Sequence, residues 1–282
     1  MRVLLTGGEG FIGSHIKLEL ENAGHEVLAP LDDIRTLRIS SPIDAICHQA
    51  AITDTTNLDR DTMFVVNVES PLRLFKEAIH VGCKRIVYAS STAVYGNLTP
   101  PHREDGPVQP LNPYAESKAL LDKEAKNLGK EFSDVRIVGL RYCNVYGPGE
   151  SKKGAMASMV YRLARQMKKG DPELFKWGAQ SREFIFIEDV VRANMLALNT
   201  HQSAMVNCAT GRARTFNELV DILNAALATN RTPQYVDNPL ANRYQSNIEC
   251  DVSRAREILG FTASYDLERG VNAYRDSGSL LK

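Results

Sequence analysis

The sequence predicts an α/β protein, a doubly wound parallel sheet with a smaller α/β substrate subdomain. Three observations predict it. Short apolar strand candidates alternate with helical patterns through the first half of the chain, the pattern that builds a parallel sheet covered on both faces. The first strand runs directly into a glycine-rich turn, Thr6-Gly7-Gly8-Glu9-Gly10-Phe11-Ile12-Gly13. After Gly147-Pro148-Gly149 the composition changes, and a basic loop with Lys152 and Lys153 leads into an amphipathic segment that opens the second subdomain.

Val3–Leu5 is the first strand, and a helix pattern follows from Phe11 to Ala23. Glycines at 7, 10 and 13 allow a tight turn, approach of backbone N–H groups to a pyrophosphate, and close packing of the helix on the sheet. A second strand, Val27–Ala29, is followed by Asp32, 19 residues after Gly13, near the spacing of the acid that binds an adenosine ribose. This is a Rossmann-like, dinucleotide-binding beginning, and Gly7, Gly10, Phe11, Ile12, Gly13 and Asp32 are its cofactor-binding candidates. The stretch from Ala29 to the third strand, Ala45–Cys47, holds only Asp32 to Arg38 before Ser40-Ser41-Pro42 breaks it, so one crossover helix is missing. His48 ends that strand, where it either satisfies a backbone carbonyl or lines the cofactor site.

A helical pattern spans Thr62–Val81, a strand Arg85–Ala89, a helix Pro113–Glu131 and a strand Arg136–Leu140. Asn112 caps the third of these, Pro113 occupies its first turn, and Leu121, Ala125 and Leu128 continue its apolar face. Beyond residue 150 the sequence predicts a helix from Ala155 to Lys169, whose methionines are core filler, then a strand Glu183–Ile187. Glu188-Asp189 open a helix through Leu198 that packs back onto the first sheet. A helix through Leu227, a strand near Tyr235-Val236, a polar stretch with Arg243-Tyr244 and a closing helix Ser253–Leu259 complete the chain. Residues 1–148 with about 183–206 form the dinucleotide-binding domain, and about 149–182 with 207–282 the nucleotide-sugar-binding subdomain.

A chain of 282 residues supports a large core. Lys+Arg and Asp+Glu both number 34, so nothing in the charge balance calls for a nucleic acid polymer or an anionic membrane. The five scattered cysteines and six histidines have no metal-ligand spacing, and no metal is expected. With no leader and no apolar run approaching 18 residues, the expected location is cytoplasmic.

Tyr114-Ala115-Glu116-Ser117-Lys118 places a phenol and an ammonium four apart on one helix face, with Ser90-Ser91-Thr92 upstream. A tyrosine with its usual pKa of roughly 10 is a poor base at neutral pH; a nearby ammonium and an oxidised nicotinamide both favour the phenolate. The same spacing occurs on solvated helices, and it is the glycine turn that gives it chemical meaning.

With His48-Gln49-Ala50-Ala51, Asn67, Tyr88-Ala89-Ser90-Ser91, Val94-Tyr95-Gly96, Arg141 through Pro148 and Arg182 through Val190, the chain resembles an extended short-chain dehydrogenase/reductase of the NAD-dependent epimerase/dehydratase family over nearly its full length. Within it, Lys153-Gly154-Ala155-Met156-Ala157-Ser158, Leu174-Phe175 and Arg243-Tyr244-Gln245 look most like the ADP-glycero-manno-heptose 6-epimerases. The resemblance implies an NAD(P)-dependent nucleotide-sugar epimerase working through a transient keto-sugar. It implies Ser91, Tyr114, Lys118 and Lys153 as catalytic, Lys153 as a second base across the sugar, and Ala50, Ala51, Asn67, Tyr114 and Lys118 as further cofactor contacts. Thr92, Asn144, Lys153, Arg182 and Arg243 become substrate contacts, the arginines through bidentate grip of the diphosphate. Where dehydratases of this family carry an Asp-Glu pair, this chain has Thr92-Ala93-Val94, which disfavours dehydration. The alternatives are a UDP-hexose 4-epimerase, a nucleotide-sugar reductase or dehydrogenase, and a non-catalytic dinucleotide-binding protein. Lys153 also fits an exposed loop cation or a phosphate contact. Asp32 and Asp33 favour NAD, whereas Arg35 and Arg38 suit the 2′-phosphate of NADP; the balance falls to NAD. The expected partners are a nucleotide-diphosphate sugar and a second copy of the chain in a homodimer.

Overall fold

The chain, seen in a computed structural model that describes residues 1–239 and 245–282, follows the expected alternation closely through its first half. It runs β1 (Arg2–Thr6), α1 (Phe11–Asn22), β2 (Glu26–Leu28), β3 (Ala45–His48), α2 (Arg60–Phe64), α3 (Ser70–His80), β4 (Arg85–Ser91), α4 (Pro113–Glu131) and β5 (Arg136–Tyr142). Then come β6 (Asn144–Tyr146), α5 (Met159–Met167), β7 (Glu173–Phe175), β8 (Ser181–Arg182), β9 (Phe184–Phe186), α6 (Ile187–Asn199) and β10 (Ala204–Cys208). The remainder is β11 (Arg214–Thr215), α7 (Phe216–Leu227), β12 (Gln234–Val236), α8 (Ser253–Leu259) and α9 (Leu267–Asp276).

The central sheet has the order β10-β5-β4-β3-β1-β2, and every pair in it is parallel. The chain winds outward from β1 to β2, then returns to β3 and winds the other way. The β1/β3 border is therefore the switch point, and a crevice opens at the carboxyl ends of these strands. Alternate strand residues feed two cores. Leu5, Val87 and Val138 meet Ile16, Leu20 and Val190 on the face covered by α1 and α6. Ile46, Ile86 and Ile137 meet Phe75 and Leu121 on the face covered by α3 and α4.

No helix lies between β2 and β3 among the described residues, as the short connection predicts. What replaces it is a loop held from α3. Arg73 donates to the carbonyls of Ile34 and Leu37, each at 2.9 Å, and Glu77 accepts from the Ile39 N–H at 3.3 Å, while Ile34 and Ile43 are buried beneath. Arg73→Ala is expected to lower stability by about 1–3 kcal/mol, the cost of leaving such carbonyls unmet. An unchanged urea midpoint would show that the loop holds itself.

Two expectations are corrected, and two elements are added. The helix expected over Thr62–Val81 contains a π-turn at Val65–Glu69 between α2 and α3, one of the bulges that often mark functional positions. The helix expected from Ala155 begins instead at Met159, because Gly154 has φ +53° and Ala157 is extended, and the Ser158 side chain caps the Tyr161 N–H. Strand β10, which completes the sheet and runs to Cys208, and helix α9 were both unforeseen. In α9 the apolar stripe Leu267, Val271 and Tyr274 is interrupted by Gly270, where a Cβ would lie 1.8 Å from the Tyr146 hydroxyl. No described helix is long and apolar enough to cross a membrane.

Candidate active site

Backbone geometry at the switch point makes a cradle. Gly7 has φ +71°, and a Cβ there would sit 2.7 Å from the Ala50 nitrogen; a Cβ on Gly13 would sit 2.0 Å from the Gly7 carbonyl oxygen. The Gly10 N–H closes the turn onto that same oxygen at 3.0 Å. Helix α1 then starts at Phe11 behind Gly10, and no side chain caps its first turn, so its amino end faces the crevice as an anion site. These features fit a dinucleotide pyrophosphate.

Ala50 and Ala51 follow β3 across the crevice. The Thr6 hydroxyl accepts the Ala50 N–H at 3.3 Å and shares a hydrogen bond of 2.7 Å with His48 Nδ1. His48 thus meets a hydroxyl rather than a carbonyl. Burial, with the Lys118 charge second, pulls its pKa down to about 3, so the ring is neutral. Asn67, in the π-turn, accepts the Ile52 N–H at 2.8 Å and donates to the Ile52 carbonyl at 2.9 Å and the Ser117 hydroxyl at 3.0 Å. It acts on the crevice by fixing backbone. Asp32 is exposed beyond β2. Arg35 is joined to Asp33 at 2.5 Å, which holds that carboxyl down to about 2, and Arg38 lies 3.7 Å from Glu77.

The titratable centre lies at the end of β4. Ser91 closes the strand and caps the turn Thr92–Tyr95, accepting the Ala93 N–H at 3.1 Å. The Tyr114 phenol hydrogen-bonds to Ser91. Lys118 is buried one turn along α4, donates to the Ala89 carbonyl at 2.9 Å and stands 5.9 Å from the Tyr114 ring centre. Burial pulls the Lys118 pKa down to about 8 against the opposing charge of Asp122. The expected lowering of the Tyr114 pKa by Lys118 together with an oxidised nicotinamide is not what the protein shows by itself. Burial raises the phenol above its ordinary value, and it is the Ser91 hydrogen bond that offsets part of the rise.

The other predicted residues are spread around this centre. Lys153 rises from the turn Glu150–Met156 to stand 5.7 Å above the Phe11 ring, at the amino end of α1. Burial lowers its pKa, with Glu150 opposing. Thr92 donates to the Tyr142 carbonyl at 3.2 Å. Asn144 gives its backbone and side-chain N–H to the Glu183 carbonyl at 3.1 and 3.0 Å. Arg182 is buried and donates to the carbonyls of Ser181 at 2.9 Å, Ser246 at 3.1 Å and Gln245. Arg243 lies outside the described residues. The structure thus joins Ser91, Tyr114 and Lys118, sets Lys153 beside the glycine turn, and places Asn144 and Arg182 on the β6–β9 side. Sequence reasoning missed Asp122 and Arg141, which make a buried ion pair of 2.9 Å beneath Lys118. The available signal was the i, i+4, i+8 register of Tyr114, Lys118 and Asp122 on one helix face.

The description "NAD dependent epimerase/dehydratase family" fits residues 3–209. An ADP-L-glycero-D-manno-heptose-6-epimerase from Alkalilimnicola ehrlichii is 32% identical over 98% of this chain and 97% of its own length. The crystal structure of the Helicobacter pylori ADP-L-glycero-D-manno-heptose-6-epimerase matches at a TM-score of 0.87 and 30% identity, over 98% of this chain and 96% of that one. MoeE5, solved in complex with UDP-glucuronic acid and NAD, matches at a TM-score of 0.88 and 29% identity, over 98% of both chains. A glycine cradle at the switch point and a Ser-Tyr-Lys centre beside it, in a chain matched end to end by these enzymes, make this protein a member of the NAD-dependent epimerase/dehydratase family.

Proposed function

We propose that this protein is a nucleotide-sugar epimerase that inverts one sugar carbon through a transient keto-sugar, with an ADP-heptose-like substrate as the favoured case. The observation that carries the reading is the Ser91, Tyr114 and Lys118 cluster at the carboxyl end of β4, two strands along the sheet from the glycine cradle. A nicotinamide dinucleotide bound in that cradle supplies a hydride acceptor and donor. Gly7, Gly10, Gly13 and the first turn of α1 hold its pyrophosphate, and Ala50 and Ala51 flank it. Ser91 and Tyr114 both hydrogen-bond the reacting sugar oxygen, and Tyr114 takes and returns its proton. The buried Lys118 ammonium, present below pH of about 8, favours the phenolate as the proton leaves.

The finer readings follow from the surroundings. Arg35 is held by Asp33 and Asp32 stays exposed, so negative charge beyond β2 favours NAD over NADP. Residues 149–182 and 207–282 contribute the nucleotide-sugar side of the crevice, with Thr92, Asn144 and Arg182 as candidate substrate contacts and Arg243 a fourth on the family resemblance alone. We read the working form as a cytoplasmic homodimer, on the family resemblance.

Purified protein incubated with ADP-heptose is expected to invert one carbon with no net NADH, read by NMR of the sugar and absorbance at the nicotinamide band. Net stoichiometric oxidation or reduction would make it a dehydrogenase or reductase. Lys153 decides between two epimerase mechanisms. As a second base it makes Lys153→Met lose about 100-fold or more in kcat. Its place above Phe11 favours a second reading, in which it contacts the dinucleotide and the sugar rotates between half-reactions, as a UDP-hexose 4-epimerase would require. In that case Lys153→Met raises KM or weakens the dinucleotide while kcat stays near wild type.

A further inference from the structure

We infer that the buried Arg141–Asp122 pair is a positioning device for the reacting centre, joining the helix that carries Tyr114 and Lys118 to the turn that carries Ser91. The inference rests on the assignment of those three residues to the chemistry. Asp122 lies one turn beyond Lys118 in α4, and its carboxylate accepts from Arg141 Nε at 2.9 Å and from the Tyr88 hydroxyl at 3.2 Å. Arg141, on β5, reaches the other way. Its Nη1 donates to the Tyr95 hydroxyl at 2.9 Å, with the guanidinium 5.0 Å from the Tyr95 ring centre. Tyr95 ends the short turn that Ser91 caps, and its hydroxyl donates to Asn207 Oδ1 on β10 at 2.7 Å. The Asn207 amide is itself held by donation to the carbonyls of His102 at 3.1 Å and Asp251 at 3.0 Å.

The side chains of Arg141 and Asp122 are 7% and 6% exposed. Desolvating two charges is costly, and well-packed apolar residues of the same volume stabilise a fold as well or better. What apolar residues would not supply is a directional link from α4 to the Ser91 turn, or a fixed negative charge below the lysine. The groups facing Lys118 are Tyr114 and Asp122 on its own helix, neutral His48 from β3 and the Ala89 carbonyl of β4. Those facing Asp122 are Arg141 from β5 and Tyr88 from β4, and Arg141 in turn faces Tyr95 and Glu104. Among the described residues Asp122 is the carboxylate that acts on Lys118, and its charge raises the lysine's pKa against burial.

The two arms of the device are separable by experiment on the full-length protein with dinucleotide bound. Asp122→Asn keeps the shape and removes the charge, so the Lys118 ammonium is expected to deprotonate about one pH unit lower, the scale for one facing carboxylate. The Lys118 titration is read directly by NMR of protein labelled with 15N-lysine, and the basic limb of kcat against pH moves the same way. The double variant Asp122→Asn with Arg141→Met removes both charges of the pair, so no lone Arg141 cation is left in the core, and it is expected to shift the Lys118 titration no further than Asp122→Asn alone. Tyr95→Phe cuts the arm to the Ser91 turn, together with the bond from Tyr95 to Asn207, and leaves the Arg141–Asp122 contact in place. It lowers kcat about 10- to 100-fold, the scale of a small misplacement, with KM and the pH limb unmoved. A Lys118 titration unchanged in the double variant overturns the inference, whether or not the protein epimerises any sugar tested. Loss of epimerisation in the unaltered protein with that titration still shifting overturns only the functional reading.

Discussion

Replacing Tyr114 with phenylalanine is expected to lower epimerase turnover about 100-fold or more, the scale of lost general acid–base catalysis. In the proposed reading the phenol moves the proton at the sugar oxygen, since it stands beside both Ser91 and Lys118. In the protein by itself its pKa is raised by burial, so the phenol keeps its proton there. Lys118 is charged below about pH 8 and neutral above it, so activity that needs the ammonium falls as pH rises through that value. Steady-state kcat on purified protein, with the bound dinucleotide quantified after denaturation, checks the result. Near-normal turnover in the variant would sink the assignment of Tyr114.

Gly13→Ala is expected to cost more than tenfold in dinucleotide affinity, about 1.4 kcal/mol or more. The methyl group would start 2.0 Å from the Gly7 carbonyl oxygen and 2.8 Å from the Gly7 carbonyl carbon, both backbone atoms that a side-chain rotation does not relieve. To admit it, the turn must open, and the 3.0 Å bond from Gly10 N–H to that same oxygen is the bond that shapes the cradle. Overpacking of this kind also lowers fold stability, typically by about 1–3 kcal/mol. Titration of the apoprotein with NAD, followed by fluorescence or calorimetry, reads the affinity. Affinity within twofold of wild type would show that the pyrophosphate does not sit on this turn.

Legibility differed between elements for physical reasons. Helices α1 and α4 and strands β1 to β5 were readable because each carries a local signal: a glycine turn, an Asn112–Pro113 cap, a short apolar run. Helix α9 was hidden because Gly270 is there for Tyr146, a contact far away in sequence. The start of α5 moved because Ser158 caps better than Ala155, and Gly154 takes a positive φ.

By itself the sequence determined the alternation of strands and helices, the absence of a crossover helix after β2, the glycine turn and the Tyr114–Lys118 register, because each depends on residues near one another along the chain. Only the tertiary structure decided what surrounds the reacting groups: the burial that draws Lys118 down to about 8 and raises Tyr114, the seat of Lys153 above Phe11, and the ion pair of Arg141 with Asp122. Those depend on which strands lie side by side and how deeply each side chain is withdrawn from water, and such distances are set by packing rather than by spacing along the chain.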